Sequence, residues 1–391
     1  MKILVVLPRF PYPLEKGDKL RAYHQIRILS KRHEIYLFCV SHEKVGEEQI
    51  KALKPYCREI EIVVPSKMVS YKNVLRNYLW AKSLQIGYWD SKKARRAYKA
   101  FEAKVHPDVI YNQMVRTMTL VSRSTLPKVM DFQDALSMNT ERRMDNTRAG
   151  LWHHILHFEF KMLRSSEYNS FSIFDALTII SETDSEAIPH KKNGEINIVP
   201  NGVDFDYFKP IDCEKKYDIL FCGNMQYPPN VDAAKFLVEE ILPIVKQQIP
   251  TAKILIAGAS PKSAVRNLAT DDVTVTGWVD DIRNCYAQSR IFVAPMRIGS
   301  GLQNKLLEAM AMQLPCVTTN IANDSLRAEH EKEILIGNDA QTIAQHLITL
   351  LQNPELSATI AEEGHNYVLR NFDWDSAVGK LEQILTKVAG K

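Results

Sequence analysis

Cysteine is scarce in this sequence, and its scarcity argues against two classes of protein site. Six cysteines occur in 391 residues, scattered without a CxxC pair or the spacing of a metal-binding cluster. A disulfide framework or a structural zinc site would need such grouping. We therefore expect free thiols in a reducing compartment.

Long apolar runs and a targeting segment are also missing. No stretch approaches the roughly 18 consecutive apolar residues that predict a membrane-spanning helix. Residues 1–8 carry one basic side chain and a short apolar run, without the length or the small-residue cleavage site of a signal peptide. This segment fits a buried first strand better, and we expect a cytoplasmic protein.

Neither sign of charge dominates the chain. It has 50 Lys and Arg against 46 Asp and Glu, a net charge of +4. An excess this small does not predict a nucleic-acid partner. At about 150 residues per domain, the length predicts two domains, or three, each able to bury its own core.

What the sequence does contain is a regular alternation of short apolar runs and helical patterns. The runs are rich in β-branched residues and lack strict alternation, which is typical of strands buried on both faces of a parallel sheet. Helices between such strands predict right-handed βαβ units and an α/β fold. The predicted strands are 3–7, 34–40, 59–64, 108–111, 128–131, 176–180, 196–199, 217–222, 253–257, 273–276, 291–294, 316–319 and 334–336.

The alternating series of predicted strands and helices begins at two places in the chain. One series opens at residue 2 and a second at Tyr217, and the segment 200–210 between them is dense in turn residues. We predict two Rossmann-like domains with a hinge near 200–215, followed by a final helix.

The loop after strand 291–294 is the best candidate for a ligand site, because ligands of open parallel sheets bind at the carboxyl ends of strands. The turn Gly299–Gly301 allows close backbone approach and presents N–H groups at the start of a helix, which suits an anion. Arg297 and Lys305 add positive charge that suits a diphosphate. Glu308, further along the helix, can accept two hydroxyl hydrogen bonds from a ribose diol.

Three other strand-end loops carry candidate residues. Gly223 and Asn224 follow strand 217–222, and 277–279 could contact a nucleobase through backbone groups and stacking. Asp131 and Asp134 follow strand 128–131 and are candidates for acceptor contact or acid–base work. The alternative that Asp134 only caps a helix stays open.

Two helical patterns lie outside this scheme. Residues 66–104 are basic and aromatic, and two interpretations stay open: inserted helices with a solvated basic face, or a surface that meets an anionic membrane or a lipid-linked phosphate. Residues 151–171 carry several large apolar side chains and predict a core helix.

Taken together, these segments resemble the GT-B glycosyltransferases, and specifically glycosyltransferase family 4. In the second half the matching segments are 201–204, the strand ending at Gly223, 277–279, 308–311 and 315–317. In the first half they are the prolines after the first strand, Gly17, Arg21 and 33–35. The start of the last helix, 372–374, resembles the family's segment that crosses back to the first domain.

The resemblance implies an architecture and a reaction. The architecture is two Rossmann-like domains facing each other across a cleft: an acceptor domain over 1–205, a nucleotide-sugar domain over 206–371, and a C-terminal helix over 372–391 that packs back on the first domain. The reaction is retaining transfer of a sugar from a nucleotide diphosphate sugar, with no cofactor and no essential metal.

The loops and the resemblance together assign residues to three roles. The expected donor-binding residues are Gly223, Asn224, Gly277, Trp278, Val279, Gly299, Ser300, Gly301, Leu302 and Glu308. The expected catalytic residues are Asp131, Asp134, Lys305 and Arg297, and the expected acceptor side consists of Gly17, Asp18 and Arg21.

The chain departs from the family pattern at the donor site. Position 300 is Ser, where the family has the first of two glutamates spaced eight apart. Asn224 and Asn230 stand where the family carries an Arg and a Lys after the first donor-domain strand. We therefore expect Lys305 and Arg297 to supply the positive charge instead.

The expected function is a hexosyltransferase of surface polysaccharide or glycolipid biosynthesis. Its expected partners are a nucleotide-sugar donor, a glycan or lipid-linked acceptor and, through residues 66–104, the inner face of a membrane. Two alternatives stay open: a GT-B sugar-nucleotide epimerase, and a catalytically weak paralogue that only binds a nucleotide sugar.

Overall fold

A computed structural model describes residues 1–14, 16–145, 147–298 and 301–390. The chain divides into two compact units. Unit 1 comprises Met1–Pro200 and Trp374–Lys391, and unit 2 comprises Asn201–Asp373. The boundaries expected from the sequence were 205/206 and 371/372.

Unit 1 is built on a seven-stranded parallel sheet. Its strands are β1 (Lys2–Leu7), β2 (Glu34–Val40), β3 (Glu59–Val63), β4 (Val109–Gln113), β5 (Lys128–Asp131), β6 (Ala176–Ile179) and β7 (Asn197–Ile198). They lie in the order β3-β2-β1-β4-β5-β6-β7. Alternate residues of β1 enter two cores on opposite faces, Leu4 and Val6 in one and Ile3, Val5 and Leu7 in the other. This two-sided burial explains why the strand is apolar throughout.

Helices cover this sheet. They are α1 (Gly17–Leu29), α2 (Glu47–Leu53), α3 (Lys67–Leu79), α4 (Leu84–Trp89), α5 (Lys92–Val105), α6 (Met118–Val121), α7 (Leu136–Asp145), α8 (Leu151–Ile173) and α9 (Glu182–Ala187). Short 3-10 turns occupy Val115–Thr117 and Asn193–Glu195. The basic, aromatic segment 66–104 thus forms α3, α4 and most of α5.

Unit 2 has a six-stranded parallel sheet. Its strands are β8 (Tyr217–Cys222), β9 (Ile254–Ala257), β10 (Val273–Val275), β11 (Ser289–Ala294), β12 (Cys316–Thr318) and β13 (Leu335–Ile336). They lie in the order β10-β9-β8-β11-β12-β13.

The helices of unit 2 pack around a single large apolar core. They are α10 (Pro228–Lys235), α11 (Leu242–Gln248), α12 (Ser263–Arg266), α13 (Arg283–Ala287), α14 (Asn304–Ala311), α15 (Asn320–Asn323), α16 (Ala340–Gln352) and α17 (Pro354–Asn371). A π-helical segment, Phe236–Ile241, joins α10 to α11.

These sheets confirm the predicted α/β fold, and every predicted strand coincides with an observed one. In each sheet the strand order reverses once, between β1 and β4 in unit 1 and between β8 and β11 in unit 2. At such a reversal the connecting helices leave to opposite faces and open a crevice beyond the carboxyl ends of the two strands. The order of strands therefore places one candidate ligand crevice in each unit.

The last helix, α18 (Trp374–Val388), belongs to unit 1. It buries one face, with Val378, Leu381 and Leu385 in the core that also contains Ile3 and Val5. Its first residue, Trp374, stacks on His24 with ring centroids 4.8 Å apart.

The prediction of a core helix over 151–171 is wrong for its first two turns. Leu151 and Trp152 are 78% and 70% exposed, and the buried residues of α8 begin at Glu159. Within the described part of the chain, no helix combines the length and apolarity needed to cross a bilayer.

We predict that Leu381→Ala destabilises unit 1. Leu381 is fully buried, and removing such a side chain leaves a cavity that costs roughly 2–5 kcal/mol of unfolding free energy. Denaturant unfolding followed by tryptophan fluorescence measures this, because four of the five tryptophans lie in unit 1. The control is Gln383→Ala, an exposed position on the same helix, expected to change stability by less than about 0.5 kcal/mol. Equal effects of the two substitutions would contradict the packing of α18.

Candidate functional site

The crevice of unit 2 begins after β8 and β9, where the glycines that follow the two strands pack backbone against backbone. Gly258 has φ +135°, and a Cβ placed on it would lie 1.9 Å from the carbonyl oxygen of Gly223. A Cβ on Gly223 would lie 2.7 Å from Nδ2 of Asn230 and 3.2 Å from Nζ of Lys305. Gly258 leaves no room for a side chain, and at Gly223 the start of α10 and the side chain of Lys305 lie against the backbone that follows β8.

Lys305 provides the positive charge of this crevice. It lies in the first turn of α14, and its Nζ donates to Oδ1 of Asn230 at 2.6 Å. Nζ also lies 4.8 Å from the ring centroid of Phe221. Burial lowers the pKa of Lys305 to about 8, against the opposing effects of Cys222 and Glu308. Its ammonium is thus poorly solvated and would gain from an anionic ligand.

Asn230 links Lys305 to the loop after β8. Its Nδ2 donates to the carbonyl oxygen of Asn224 at 3.0 Å, while its Oδ1 accepts from Lys305. The two asparagines stand where the resembled family carries basic residues. Lys305 therefore brings an ammonium from α14 to the place where that charge is missing.

Glu308 lies one turn after Lys305, on the same face of α14. The hydroxyl of Tyr286, a fully buried side chain, donates to its Oε2 at 2.8 Å and lies 3.0 Å from Sγ of Cys222. Burial raises the pKa of Glu308 to about 7, opposed by Tyr286 and Lys305. Oε1 receives no hydrogen bond from the described residues. The carboxylate is thus anchored through one oxygen, and the other is available to a ligand hydroxyl.

Arg297 is engaged elsewhere, contrary to the expectation that it offsets a diphosphate. Its guanidinium donates to Asp232 at 2.8 and 3.1 Å and to Glu240 at 3.0 Å. It also lies 4.2 Å from the ring centroid of Phe236. Two carboxylates already compensate its charge, so Lys305 is the better candidate.

The remaining donor-site residues lie on neighbouring loops. Trp278 is 63% exposed and, with Gly277, lines a shallow cavity of about 430 Å³. Val279 and Leu302 are partly buried, and Gly301 has φ +74° shortly before α14. Gly299 and Ser300 lie outside the described residues, so the predictions for them stay predictions.

In unit 1, Asp131 is a structural residue and not an acid–base group. It is fully buried and accepts from Nε of Arg21 at 2.7 Å and from the hydroxyl of Tyr111 at 2.6 Å. Burial opposes ionisation, but the Arg21 guanidinium and the hydrogen bonds hold the pKa of Asp131 below its usual range. Arg21 is equally buried. This closed ion pair contradicts both the catalytic expectation for Asp131 and the acceptor contact for Arg21.

Asp134 has a different environment three residues further on. Its Oδ2 accepts from Asn139 at 2.7 Å, and its buried Oδ1 has no hydrogen-bond partner. Burial and the negative charge of Asp184 raise the pKa of Asp134 to about 7, against the opposing charge of Arg116. A carboxylate with one unpartnered oxygen and such a pKa is suited to proton transfer.

The capping alternative for Asp134 is not what the structure shows. The backbone N–H of Ala135 donates to Asp184 at 3.1 Å, and that of Ser137 donates to Glu167 at 2.9 Å. Carboxylates from α8 and α9 therefore satisfy the start of α7, which leaves Asp134 free of that task.

Around Asp134 the structure places Asp18, an expected acceptor-side residue. It also places there two arginines that the sequence motifs did not identify. Asp18, in the first turn of α1, pairs with Arg9 at 2.6 Å. Burial and the charge of Arg9 lower the pKa of Arg116 to about 10. Arg9 and Arg116 follow β1 and β4, whereas Asp134 follows β5. Gly17 begins α1 at the same edge.

Comparisons with known proteins agree with this arrangement. Residues 216–353 match the family model described as glycosyl transferases group 1. The chain is 22% identical to an uncharacterised 44.6 kDa protein in the cps region of Klebsiella pneumoniae, over 95% of this chain and 96% of that protein. It is 24% identical to the Escherichia coli UDP-Gal:alpha-D-GlcNAc-diphosphoundecaprenol alpha-1,3-galactosyltransferase, over 49% of this chain and 54% of that enzyme.

The fold has a counterpart over its whole length. Sucrose-phosphate synthase from Thermosynechococcus elongatus superposes with a TM-score of 0.72 at 15% identity, covering 99% of both chains. The two parallel sheets, the cationic crevice at the strand reversal of unit 2 and the family match over that unit lead to one conclusion: the chain is a glycosyltransferase of the GT-B fold.

Proposed function

We propose that the protein transfers a sugar from a nucleotide diphosphate sugar to a glycan or lipid-linked acceptor, with retention at the anomeric carbon. The observation that carries this proposal is the pair Lys305 and Glu308, one turn apart on α14 at the strand reversal of unit 2. The E. coli relative is named as using UDP-Gal and a diphosphoundecaprenol-linked acceptor, which supports the same classes of substrate here. Membership of family 4 stays a prediction.

A role in surface polysaccharide or glycolipid assembly is part of the proposal. It is supported by the K. pneumoniae relative from a cps region and by the lipid-linked acceptor of the E. coli enzyme.

In the proposed reaction Lys305 balances the charge of the leaving diphosphate. Negative charge grows on the diphosphate as the bond to the sugar breaks, so a nearby ammonium stabilises the transition state more than the ground state. Glu308 holds the ribose diol, which does not change during the reaction. We propose that this arrangement needs no cofactor and no essential metal.

Asp134 is the candidate for the general base that accepts a proton from the acceptor hydroxyl. A hydroxyl must lose its proton as it attacks the sugar, and a carboxylate with a pKa of about 7 can accept that proton at neutral pH. Asp131 cannot do so, because its carboxylate already accepts hydrogen bonds from Arg21 and Tyr111.

Glu308→Ala is expected to weaken the binding of the sugar nucleotide and of the free nucleotide to the same extent. The lost hydrogen bonds to a charged group are worth about 1.5–3 kcal/mol, which is roughly 10- to 100-fold in affinity. Lys305→Ala should instead lower turnover more than UDP affinity. Calorimetric titration with UDP and a transfer assay with UDP-sugars separate the two effects. The control is Glu362→Ala, an exposed position on α17. Unchanged UDP affinity in Glu308→Ala would remove the donor-site assignment.

The pKa of Lys305 predicts a pH dependence of nucleotide binding. The ammonium is present below about pH 8 and is lost as the pH rises through that value. UDP affinity should therefore fall as the pH rises through the pKa, towards the affinity of Lys305→Ala. Calorimetry from about pH 7.5 upwards, where Glu308 is ionised, measures this fall.

Lys305→Arg is the matched variant for that titration, because a guanidinium stays charged over the whole range. Its UDP affinity should be nearly independent of pH. The same fall in Lys305→Arg as in the native protein would show that another group titrates.

The proposal also includes peripheral contact with an anionic membrane through α3. This helix exposes large apolar side chains, and its ring contact between Tyr78 and Phe158 (centroids 4.8 Å apart) places it beside the exposed start of α8. The exposed apolar residues are Met68, Val69, Tyr71, Leu75, Tyr78, Leu79, Trp80, Leu151 and Trp152. No acidic residue lies between Glu61 and Asp90, whereas four basic residues lie over 67–82. Apolar and basic side chains together are suited to an anionic bilayer surface.

Vesicle flotation tests this contact. Binding should require anionic lipid and fall as salt is raised, because each basic residue near the surface contributes about 1 kcal/mol that salt screens. Lys72→Glu with Arg76→Glu should weaken binding by more than about tenfold. Tyr227→Ser removes an exposed aromatic residue of unit 2 and serves as the control. Binding that ignores lipid charge and salt would contradict the proposal.

A further inference from the structure

A second cationic cavity lies in unit 1, at the carboxyl ends of β1 and β2. Its volume is about 200 Å³. The loops after the two strands, the start of α1 and the end of α4 form its walls, and we call it the cationic pocket. Its described lining residues all belong to unit 1, whereas Lys305 and Glu308 belong to unit 2.

Positive charge dominates the lining of the cationic pocket. Among the described lining residues, four are basic (Arg9, Lys16, Lys19 and Lys44) and one is a carboxylate, Glu43. Lys19 is 4% exposed, and Arg9 is oriented by its ion pair with Asp18 at 2.6 Å. Neither Lys16 nor Lys44 is paired with a carboxylate in the described ranges. Several cations around one cavity repel each other unless an anion lies between them.

Aromatic side chains form another part of the lining, and their contacts with each other and with the backbone hold them in place. The ring of His42 lies 4.1 Å from that of Tyr88 and 5.3 Å from that of Trp89, measured between centroids. Nε1 of Trp89 donates to the carbonyl oxygen of Pro8 at 2.6 Å, which ties α4 to the end of β1. Burial lowers the pKa of His42, so this ring is neutral at pH 7. Flat, mostly uncharged rings in the same cavity as lysines suit a phosphate group attached to a larger organic body.

The cationic pocket is joined to the acid–base candidate. The guanidinium of Arg116 lies 5.1 Å from the ring centroid of Trp89, a pocket residue. The charge of Arg116 in turn lowers the pKa of Asp134 against the effect of burial. Both features lie beyond the carboxyl ends of β1, β4 and β5, where the strand order of unit 1 reverses.

We propose that the cationic pocket binds the phosphate or diphosphate group of the acceptor, and so holds an acceptor hydroxyl near Asp134. This inference rests on the proposed function, because it names the class of acceptor that the transferase uses. Lys16 and Lys44 bind the phosphate oxygens, and Arg9 and the buried Lys19 add positive charge to the cavity. The aromatic rings contact the group that the phosphate carries.

Calorimetric titration of the full-length protein with inorganic pyrophosphate tests the pocket. Saturating UDP is present, so that the donor crevice is filled. Lys16→Ala and Lys44→Ala should each weaken pyrophosphate binding by more than about tenfold, because each removes a charge-assisted contact to the anion. Lys51→Ala, an exposed position on α2 away from the pocket, is the control and should bind as the native protein does.

A second titration with geranyl diphosphate distinguishes two sources of the anion. Tighter binding than that of pyrophosphate, lost in Lys16→Ala, supports a lipid-linked diphosphate acceptor. Equal binding of the two probes, lost in the same variant, supports a phosphate on a soluble glycan.

Two results would separate failure of this inference from failure of the proposed function. If pyrophosphate binding is unchanged in Lys16→Ala and Lys44→Ala but is lost in Lys305→Ala, the cationic pocket does not bind the anion. The proposed donor crevice would not be contradicted by that result. A native protein that binds pyrophosphate through Lys16 and Lys44 but does not bind UDP would instead overturn the proposed donor.

Discussion

The parallel direction of all strands within each sheet is the constraint on which the candidate sites depend. When neighbouring strands run the same way, every loop that follows a strand lies on the same edge of the sheet. Where the strand order reverses, adjacent loops part and leave a crevice. In unit 2 this brings together residues that follow β8 and β11, and in unit 1 it brings together loops that follow β1, β2, β4 and β5. Side chains far apart in the chain therefore become neighbours without any special local motif.

At the proposed donor crevice, the position of one ammonium compensates for two asparagines. The side chain of Lys305 extends from α14 to Asn230. Its Nζ lies close to Gly223, where a Cβ would be only 3.2 Å away. Burial of this ammonium carries a cost, seen in the lowered pKa of Lys305. An anionic ligand would remove that cost, since a nearby negative charge favours the protonated form. The same burial that disfavours the charge in the free protein thus strengthens its interaction with a diphosphate.

Two carboxylates after one strand illustrate how environment decides role. Asp131 and Asp134 are three residues apart, and burial penalises the ionised form of both. Arg21 neutralises Asp131 and makes it part of the core, whereas the negative charge of Asp184 adds to the effect of burial on Asp134. The first carboxylate stabilises the fold. The second has a pKa of about 7 and one oxygen without a hydrogen-bond partner.

Two features could be predicted because they follow from local sequence pattern. They are the order of strands and helices, and the position of Lys305 and Glu308 on one face of a helix. Strands buried on both faces need continuous apolar runs, and residues three apart on a helix share a face whatever surrounds them. The failures concern partners distant in the chain. Arg297 meets Asp232 from 65 residues away, and Arg21 meets Asp131 from 110.

The sequence by itself therefore determined the two α/β units, the carboxyl-edge loops and the helix α14. Only the tertiary structure decided which charged groups at those edges are neutralised and which remain available. It also assembled the cationic pocket, whose residues come from separate loops and carry no common motif. The physical reason is that the charge state of a side chain depends on burial and on neighbours in space, and neither is written in local spacing.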